Sequence, residues 1–252
     1  MSSFQNCVNR EVEETLHDCT SCGRCAEVCP IRPHTDAAGT DPKEVVQGVL
    51  GLLRNEAGTA AAVSWIEACS GSGVCIKACP ESVNPRRMLA LAKSAVNGRA
   101  GGGSSFKAMV ETNRVLTGMQ VDPQSIKRLN GRQDVRKNRA KFVFWIGCNM
   151  PRTSHLVLTL EDIFETLGVD LEVIGGSNNC CGIVHFSDGD NETGGKIVTN
   201  LKKNVEGLNP EMLLTWCPSC QIQYDDPLLS GYSGNNINWL PEVVMFSGVS
   251  MR

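Results

Sequence analysis

The amino-acid sequence predicts an α+β protein of two domains: a mostly helical N-terminal domain, then an α/β domain with a small parallel sheet. Three observations carry that expectation. The chain has 252 residues, enough for one large or two small domains at roughly 150 residues each. Its 13 cysteines fall into separate N-terminal and C-terminal groups. The hydrophobic pattern is helical before the Gly/Ser-rich stretch NGRAGGGSS (97–105), which has the composition of a linker, and alternates between strands and helices after it. These features place an N-terminal domain over 1–97, a linker and helical segment over 98–140, and a C-terminal domain over 141–252.

In the N-terminal domain, DPKEVVQGVLGLLRN (41–55) reads as a helix. Asp41 can cap it, Pro42 suits the first helical position, and Val45, Val46, Val49, Leu50 and Leu53 recur at the spacing of one buried face. PRRMLALAKSAV (85–96) reads as a second helix, again opened by a proline. Further on, the apolar run KFVFWIG (141–147) suits a buried strand. The helical pattern HLVLTLEDIFETLG, a strand LEVIG, a helix near 190–206 and a strand MLLTW (212–216) follow. Such alternation signals a parallel sheet. A cysteine group comes after each strand: Cys148, then Cys180 and Cys181, then Cys217 and Cys220. Ligands in open parallel sheets sit off the carboxyl ends of the strands, so these five cysteines are expected to converge on one site.

Composition narrows the chemistry. Lys and Arg number 24 against 27 Asp and Glu, a net charge of −3 that offers no basic footprint for nucleic acid. The start, MSSFQNCVNREVEE, lacks the apolar core of a secretory signal, and no apolar run approaches the roughly 20 residues of a membrane span. A cytoplasmic location is therefore expected. In a reducing compartment, cysteine as abundant as Phe, Trp and Tyr together points to metal or redox chemistry, not structural disulfides.

CTSCGRCAEVCP (19–30) has the C-x2-C-x2-C-x3-C-P spacing of a bacterial-type iron–sulfur run, with Cys19, Cys22, Cys25 and Cys29 as ligands. Three thiolates within seven residues wrap one corner of a cubane. The fourth ordinarily serves a second cluster, and the proline turns the chain away. CSGSGVCIKACP (69–80) repeats the run with Cys69, Cys75, Cys79 and Pro80, but Ser72 stands where the second cysteine belongs. Exchange of the fourth ligands pairs Cys19, Cys22, Cys25 and Cys79 around one 4Fe–4S cluster. Cys29, Cys69 and Cys75 are left for the other site. They can hold a 3Fe–4S cluster, or a 4Fe–4S cluster with Ser72, water or a further cysteine such as Cys7 on the fourth iron; loss of that cluster is the third alternative.

Over residues 10–97 the two runs and their helix-rich insert resemble the α-helical ferredoxin domain. It occurs in succinate dehydrogenase iron–sulfur subunits and in the small iron–sulfur subunit of heterodisulfide reductases. The first of those families also departs at the second cysteine of its second run and holds a 3Fe–4S cluster there, which favours that option here.

The C-terminal cysteines, Cys148, Cys180-Cys181-Gly182 and Cys217-Pro218-Ser219-Cys220, resemble the cysteine-rich CCG domain. That domain occurs in the catalytic subunit of heterodisulfide reductase and in iron–sulfur subunits of glycolate and lactate oxidising enzymes. The resemblance implies that Cys148, Cys180, Cys181, Cys217 and Cys220 bind a noncubane 4Fe–4S cluster where a disulfide is cleaved. Those proteins usually carry two CCG modules and this chain carries one. Either a partner supplies the second, or this copy relays electrons or holds the assembly together. Five thiolates exceed the four that a structural zinc takes, and adjacent cysteines do not easily share one tetrahedral ion; a four-thiolate zinc site with one bystander is the alternative. His185 is a candidate proton donor to a leaving thiolate, or else a hydrogen-bonded structural residue. Trp145 and Trp216 read as walls that keep water from the site, and Gly175, Gly176 and Gly182 as points of close backbone approach.

The resemblances imply an electron-transfer and CCG subunit of a heterodisulfide reductase-like complex, possessing similarity to a sulfur-oxidising branch. They imply partners that include a flavin-containing subunit and a CCG subunit, and a disulfide or carrier-bound sulfur substrate. Two other readings stand beside it: the iron–sulfur subunit of a flavin-dependent glycolate or lactate oxidising enzyme, and a non-catalytic docking subunit with structural zinc.

Overall fold

The computed structural model describes residues 3–100, 105–129, 142–225 and 239–240. It divides into two compact units, Met1–Gly103 with His185–Glu192, and Ser104–Val184 with Thr193–Arg252.

The first unit is helical: α1 (Ser3–Asp18), α2 (Arg24–Glu27), α3 (Pro42–Leu53), α4 (Ala60–Ala68), α5 (Val74–Ala78) and α6 (Pro85–Arg99). Asp41 caps α3 by accepting from the Lys43 N–H at 2.8 Å, and Pro42 occupies its first turn. Val45, Val46, Val49, Leu50 and Leu53 are buried as their spacing requires. Asn84 caps α6 through the Arg87 N–H at 3.1 Å. A buried ion pair between Glu11 and Arg87 ties α1 to α6.

Asn97, Gly98 and Arg99 are the last turn of α6, not the start of a linker. The helical ladder runs on to Ala100, whose N–H reaches the Val96 carbonyl at 3.2 Å, and Asn97 Nδ2 donates to the Ser187 carbonyl at 2.6 Å. Residues 101–104 of the Gly/Ser-rich stretch lie outside the described residues, as do 130–141 of the segment after it.

The second unit opens with α7 (Ser105–Gln120) and α8 (Pro123–Leu129). It continues with β1 (Phe142–Gly147), α9 (Ser154–Thr166), β2 (Leu171–Gly175), α11 (Asn191–Leu208), β3 (Met212–Thr215), α12 (Pro218–Asp225) and the short β4 (Trp239–Leu240), while most of α10 (Ile183–Ser187) belongs to the segment that groups with the first unit. The sheet order is β2-β1-β3-β4 and every pairing is parallel. The sequence pattern reveals the first three strands; the two-residue β4 is too short to leave one. Alternation along β1 feeds two cores. Phe144 and Ile146 pack with Leu129, Val157, Leu160 and Phe164 on one face, and Val143 and Trp145 with Leu201 and Val205 on the other. Burial on both faces explains the uninterrupted apolar run of this strand. Among the described residues, no helix is long and apolar enough to cross a membrane.

Candidate iron–sulfur sites

The two N-terminal runs fold alike. In the first, Ser21 and Gly23 have left-handed backbone (φ 58° and 85°); in the second, Gly71 and Gly73 do (φ 75° at both). This wrap turns N–H groups inward: the Ser21 N–H favours the Cys19 thiolate and the Gly71 N–H that of Cys69. A short helix then starts in each run and buries its third cysteine, Cys25 in α2 and Cys75 in α5. The second run therefore keeps the wrap of the first although Ser72 replaces a cysteine.

Cys19, Cys22, Cys25 and Cys79 line one cavity with Val46, Pro85 and Met88. Burial pushes the Cys25 thiol up to about 12, and Cys19 is raised by burial and further by Cys79, Cys22 and Glu81. Cys29 lies near Cys69 and Cys75, whose thiols are raised first by burial and then by neighbouring sulfurs. Trp65, wholly buried in α4, donates its indole N–H to Cys29 Sγ at 3.2 Å. Arg86 faces the same group. A side-chain carbon added at Gly73 would lie 3.4 Å from Arg86 Nη1, and the guanidinium pulls down the Cys69 and Cys75 thiols against the burial effect. Arg86 Nε is buried without a hydrogen-bond partner among the described residues. The donor chemistry fits iron–sulfur clusters: soft sulfurs gathered in apolar surroundings, with N–H groups aimed at them. Ser72 is exposed beside the second group, and Cys7 is a half-buried residue of α1.

In the second unit the five cysteines meet at the carboxyl ends of β1, β2 and β3. Cys148 follows β1 directly, and its Sγ lies 3.2 Å from that of Cys180. Cys180, Cys181 and Cys220 are buried in one cluster, and Cys148 and Cys217 pack against it, so all five cysteines gather in one place. Hydrogen bonding to Cys180 and then burial drive Cys148 up; the same Cys180 contact heads the causes that raise Cys181. Cys217 goes the other way, to about 6, because Cys220 and the N–H groups at the start of α12 stabilise its thiolate. Gly182 has φ 76°, and its N–H reaches Cys180 Sγ at 3.4 Å. Gly147 was not legible from spacing: a side-chain carbon there would lie 2.9 Å from Cys220 Sγ. Trp145 is fully buried and its indole donates to the Asn179 carbonyl at 2.6 Å, fixing the residue before Cys180; Trp216 packs against the opposite core.

His185 falls in the segment His185–Glu192 that groups with the first unit, its Nδ1 3.8 Å from Asp190 Oδ2. Sequence reading also missed Asn113, whose Nδ2 donates to the Cys148 carbonyl at 3.1 Å.

Comparison with known protein families accords with this geometry. Residues 18–84 match the 4Fe–4S dicluster domain, and residues 142–225 match the cysteine-rich domain, CCG. The chain thus carries an iron–sulfur electron-transfer domain and a CCG domain, types found in oxidoreductase subunits. No curated protein and no solved structure matches it.

Proposed function

We propose that this chain is the electron-transfer and CCG subunit of a heterodisulfide reductase-like complex, coupling electron flow to thiol–disulfide chemistry. The observation that carries the reading is the gathering of five cysteines in one cluster at the carboxyl ends of three parallel strands. In this proposal Cys19, Cys22, Cys25 and Cys79 hold a 4Fe–4S cluster, and Cys29, Cys69 and Cys75 hold a 3Fe–4S cluster. Cys148, Cys180, Cys181, Cys217 and Cys220 hold a noncubane 4Fe–4S cluster. When bound, such clusters supply one-electron steps.

The chain's residues set the conditions for those steps. Trp65 and the inward N–H groups stabilise negative charge on the ligand sulfurs, and Arg86 adds a fixed positive charge at the second group. Trp145 holds the Cys180 loop against the sheet. Cleavage of a disulfide R–S–S–R′ takes two electrons and two protons and yields two thiols. A flavin-containing partner would deliver the electrons in this direction and accept them in the reverse, sulfur-oxidising direction.

Iron, acid-labile sulfide and zinc are measured on anaerobically purified protein, with EPR on the same sample. The proposal expects about eleven irons per chain, no zinc and an oxidised 3Fe signal. About seven irons with one zinc would overturn the C-terminal assignment and leave a docking subunit.

A further inference from the structure

The two N-terminal runs share one backbone wrap, so they can be compared place by place. Ser72 stands where Cys22 does, and Gly73 where Gly23 does. Cys22 is half-buried and lines its cavity, whereas Ser72 is exposed. The glycine that follows meets a different neighbour in each run. A side-chain carbon at Gly23 would lie 2.9 Å from the Lys43 backbone nitrogen and 3.0 Å from Pro42 Cβ, at the start of α3. At Gly73 the nearest atoms are Arg86 Nη1 and Ile76 Cδ1, both at 3.4 Å. The second run thus carries a guanidinium beside the place of its missing cysteine.

The charges around the two groups are also opposite. Glu81 acts on Cys19 in the first, while Arg86 and Lys93 act on Cys69 in the second and Arg86 on Cys75. Arg86 makes no ion pair among the described residues, and its Nε is buried without a hydrogen-bond partner there. Lys93 Nζ donates to the Glu67 carbonyl at 3.3 Å, not to a carboxylate. Two cations without counter-ions beside three thiols oppose further positive charge at that site. Insertion of iron into a reduced three-iron core, [3Fe–4S]0 + Fe2+ → [4Fe–4S]2+, moves no electron and adds two positive charges among the same three thiolates.

We propose that Arg86, assisted by Lys93, keeps the second site at three irons by opposing a ferrous ion at the corner that Ser72 leaves open. The inference rests on the 3Fe–4S reading of Cys29, Cys69 and Cys75, and names the residues that hold the site to it. Loss of a cysteine does not by itself exclude a fourth iron, because water can complete its coordination. The cation supplies the exclusion. One charge roughly 8 Å away, at an effective dielectric of roughly 40, changes the affinity for a divalent ion about thirtyfold. Arg86 therefore acts on the composition of the cluster, a role separate from setting its potential.

The test titrates ferrous iron into the dithionite-reduced, cluster-loaded chain and follows loss of the three-iron EPR signal, with iron counted after desalting. Before iron is added, wild type, Arg86→Gln and Arg86→Lys should show the same signal. Arg86→Gln should then take up a fourth iron at about thirtyfold lower ferrous concentration than wild type, ending near about twelve irons per chain where wild type keeps about eleven. Arg86→Lys keeps the charge and should stay within about threefold of wild type. Equal gains in both variants would assign the effect to packing and overturn the proposal. Equal ferrous affinity in wild type and Arg86→Gln also overturns it, and leaves the 3Fe–4S reading standing. A four-iron spectrum at the second site of untreated wild type sinks that reading, and this inference with it. The signal of the first cluster reports the fold. Should Arg86→Gln disturb that signal, Lys93→Gln carries the test, with an expected gain of about fivefold in ferrous affinity; no gain there overturns the proposal.

Discussion

Replacing Trp65 with phenylalanine removes one hydrogen bond to one thiol and little else. The indole N–H lies 3.2 Å from Cys29 Sγ, and the side chain is 0% exposed, so water does not replace the lost donor readily. A hydrogen bond to an ionised group contributes about 1.5–3 kcal/mol. Reduction adds negative charge to a cluster and its thiolates, which strengthens such bonds. If roughly a third of the bond depends on redox state, the reduced form loses about 0.5–1 kcal/mol more than the oxidised form in the variant. A one-electron couple shifts by about 59 mV per tenfold change in equilibrium, so the potential should fall by about 20–40 mV.

The assay is an EPR-monitored redox titration of wild type and Trp65→Phe, following the two N-terminal clusters separately. Cys29 belongs by sequence to the first run, yet it lies close enough to Cys69 and Cys75 of the second to raise their thiols. The expected result is therefore a shift at the second cluster with the first unmoved. A shift confined to the first cluster would refute the ligand exchange. Two unmoved potentials would refute the claim that Cys29 is a cluster ligand stabilised by Trp65.

Arg86→Met removes the cation beside the second group. One charge roughly 8 Å away at an effective dielectric of roughly 40 contributes about 1 kcal/mol, so the same titration should show a fall of about 40 mV there, and an unchanged potential contradicts the assignment. Glu11→Ala leaves the buried Arg87 charge without its carboxylate and should cost about 3–5 kcal/mol. Loss of cluster absorbance in guanidinium should then occur at clearly lower denaturant, and coincident midpoints would contradict it. In the reduced, cluster-free chain, Cys217 should be alkylated with a midpoint near pH 6 while Cys25 stays protected to about pH 12; a common midpoint near 9 at both would contradict the folded environments. The linkage signs are opposite. The lowered Cys217 stabilises the fold as pH rises from about 6 to 9, and the raised Cys25 destabilises it as pH rises from about 9 to 12.

The strands were legible because a strand buried on both faces must be apolar throughout, and FVFWIG is. The convergence of five cysteines followed from topology alone, since parallel strands share one carboxyl end. Helix α3 was legible because its cap, its proline and its apolar face agree. Trp65, Arg86 and Gly147 were not legible, for a common reason. Each acts on a sulfur that is remote in sequence or that only the folded backbone brings near, and spacing within a motif carries no information about such neighbours.

Helices α1 and α7 show where periodicity fails and what the failure means. The buried positions of α1 include Val8, Glu11 and Thr15, and those of α7 include Asn113 and Thr117; both sets have helical spacing, but most members are polar. An apolar stripe therefore never forms, so a hydrophobicity reading passes over α1 and gives for α7 only a helical segment without bounds inside 98–140. Burying polar groups is favourable only when partners wait for them, and here the partners are specific. Glu11 meets Arg87, one residue after Arg86 at the second thiol group. Asn113 and Thr117 donate to the carbonyls of Cys148 and Pro151, on the loop that carries the first C-terminal cysteine. A purely apolar face would have packed either helix as well. The polar faces instead fix the register of backbone segments that position sulfur, so the two elements hardest to read from the sequence are tied directly to the chemistry.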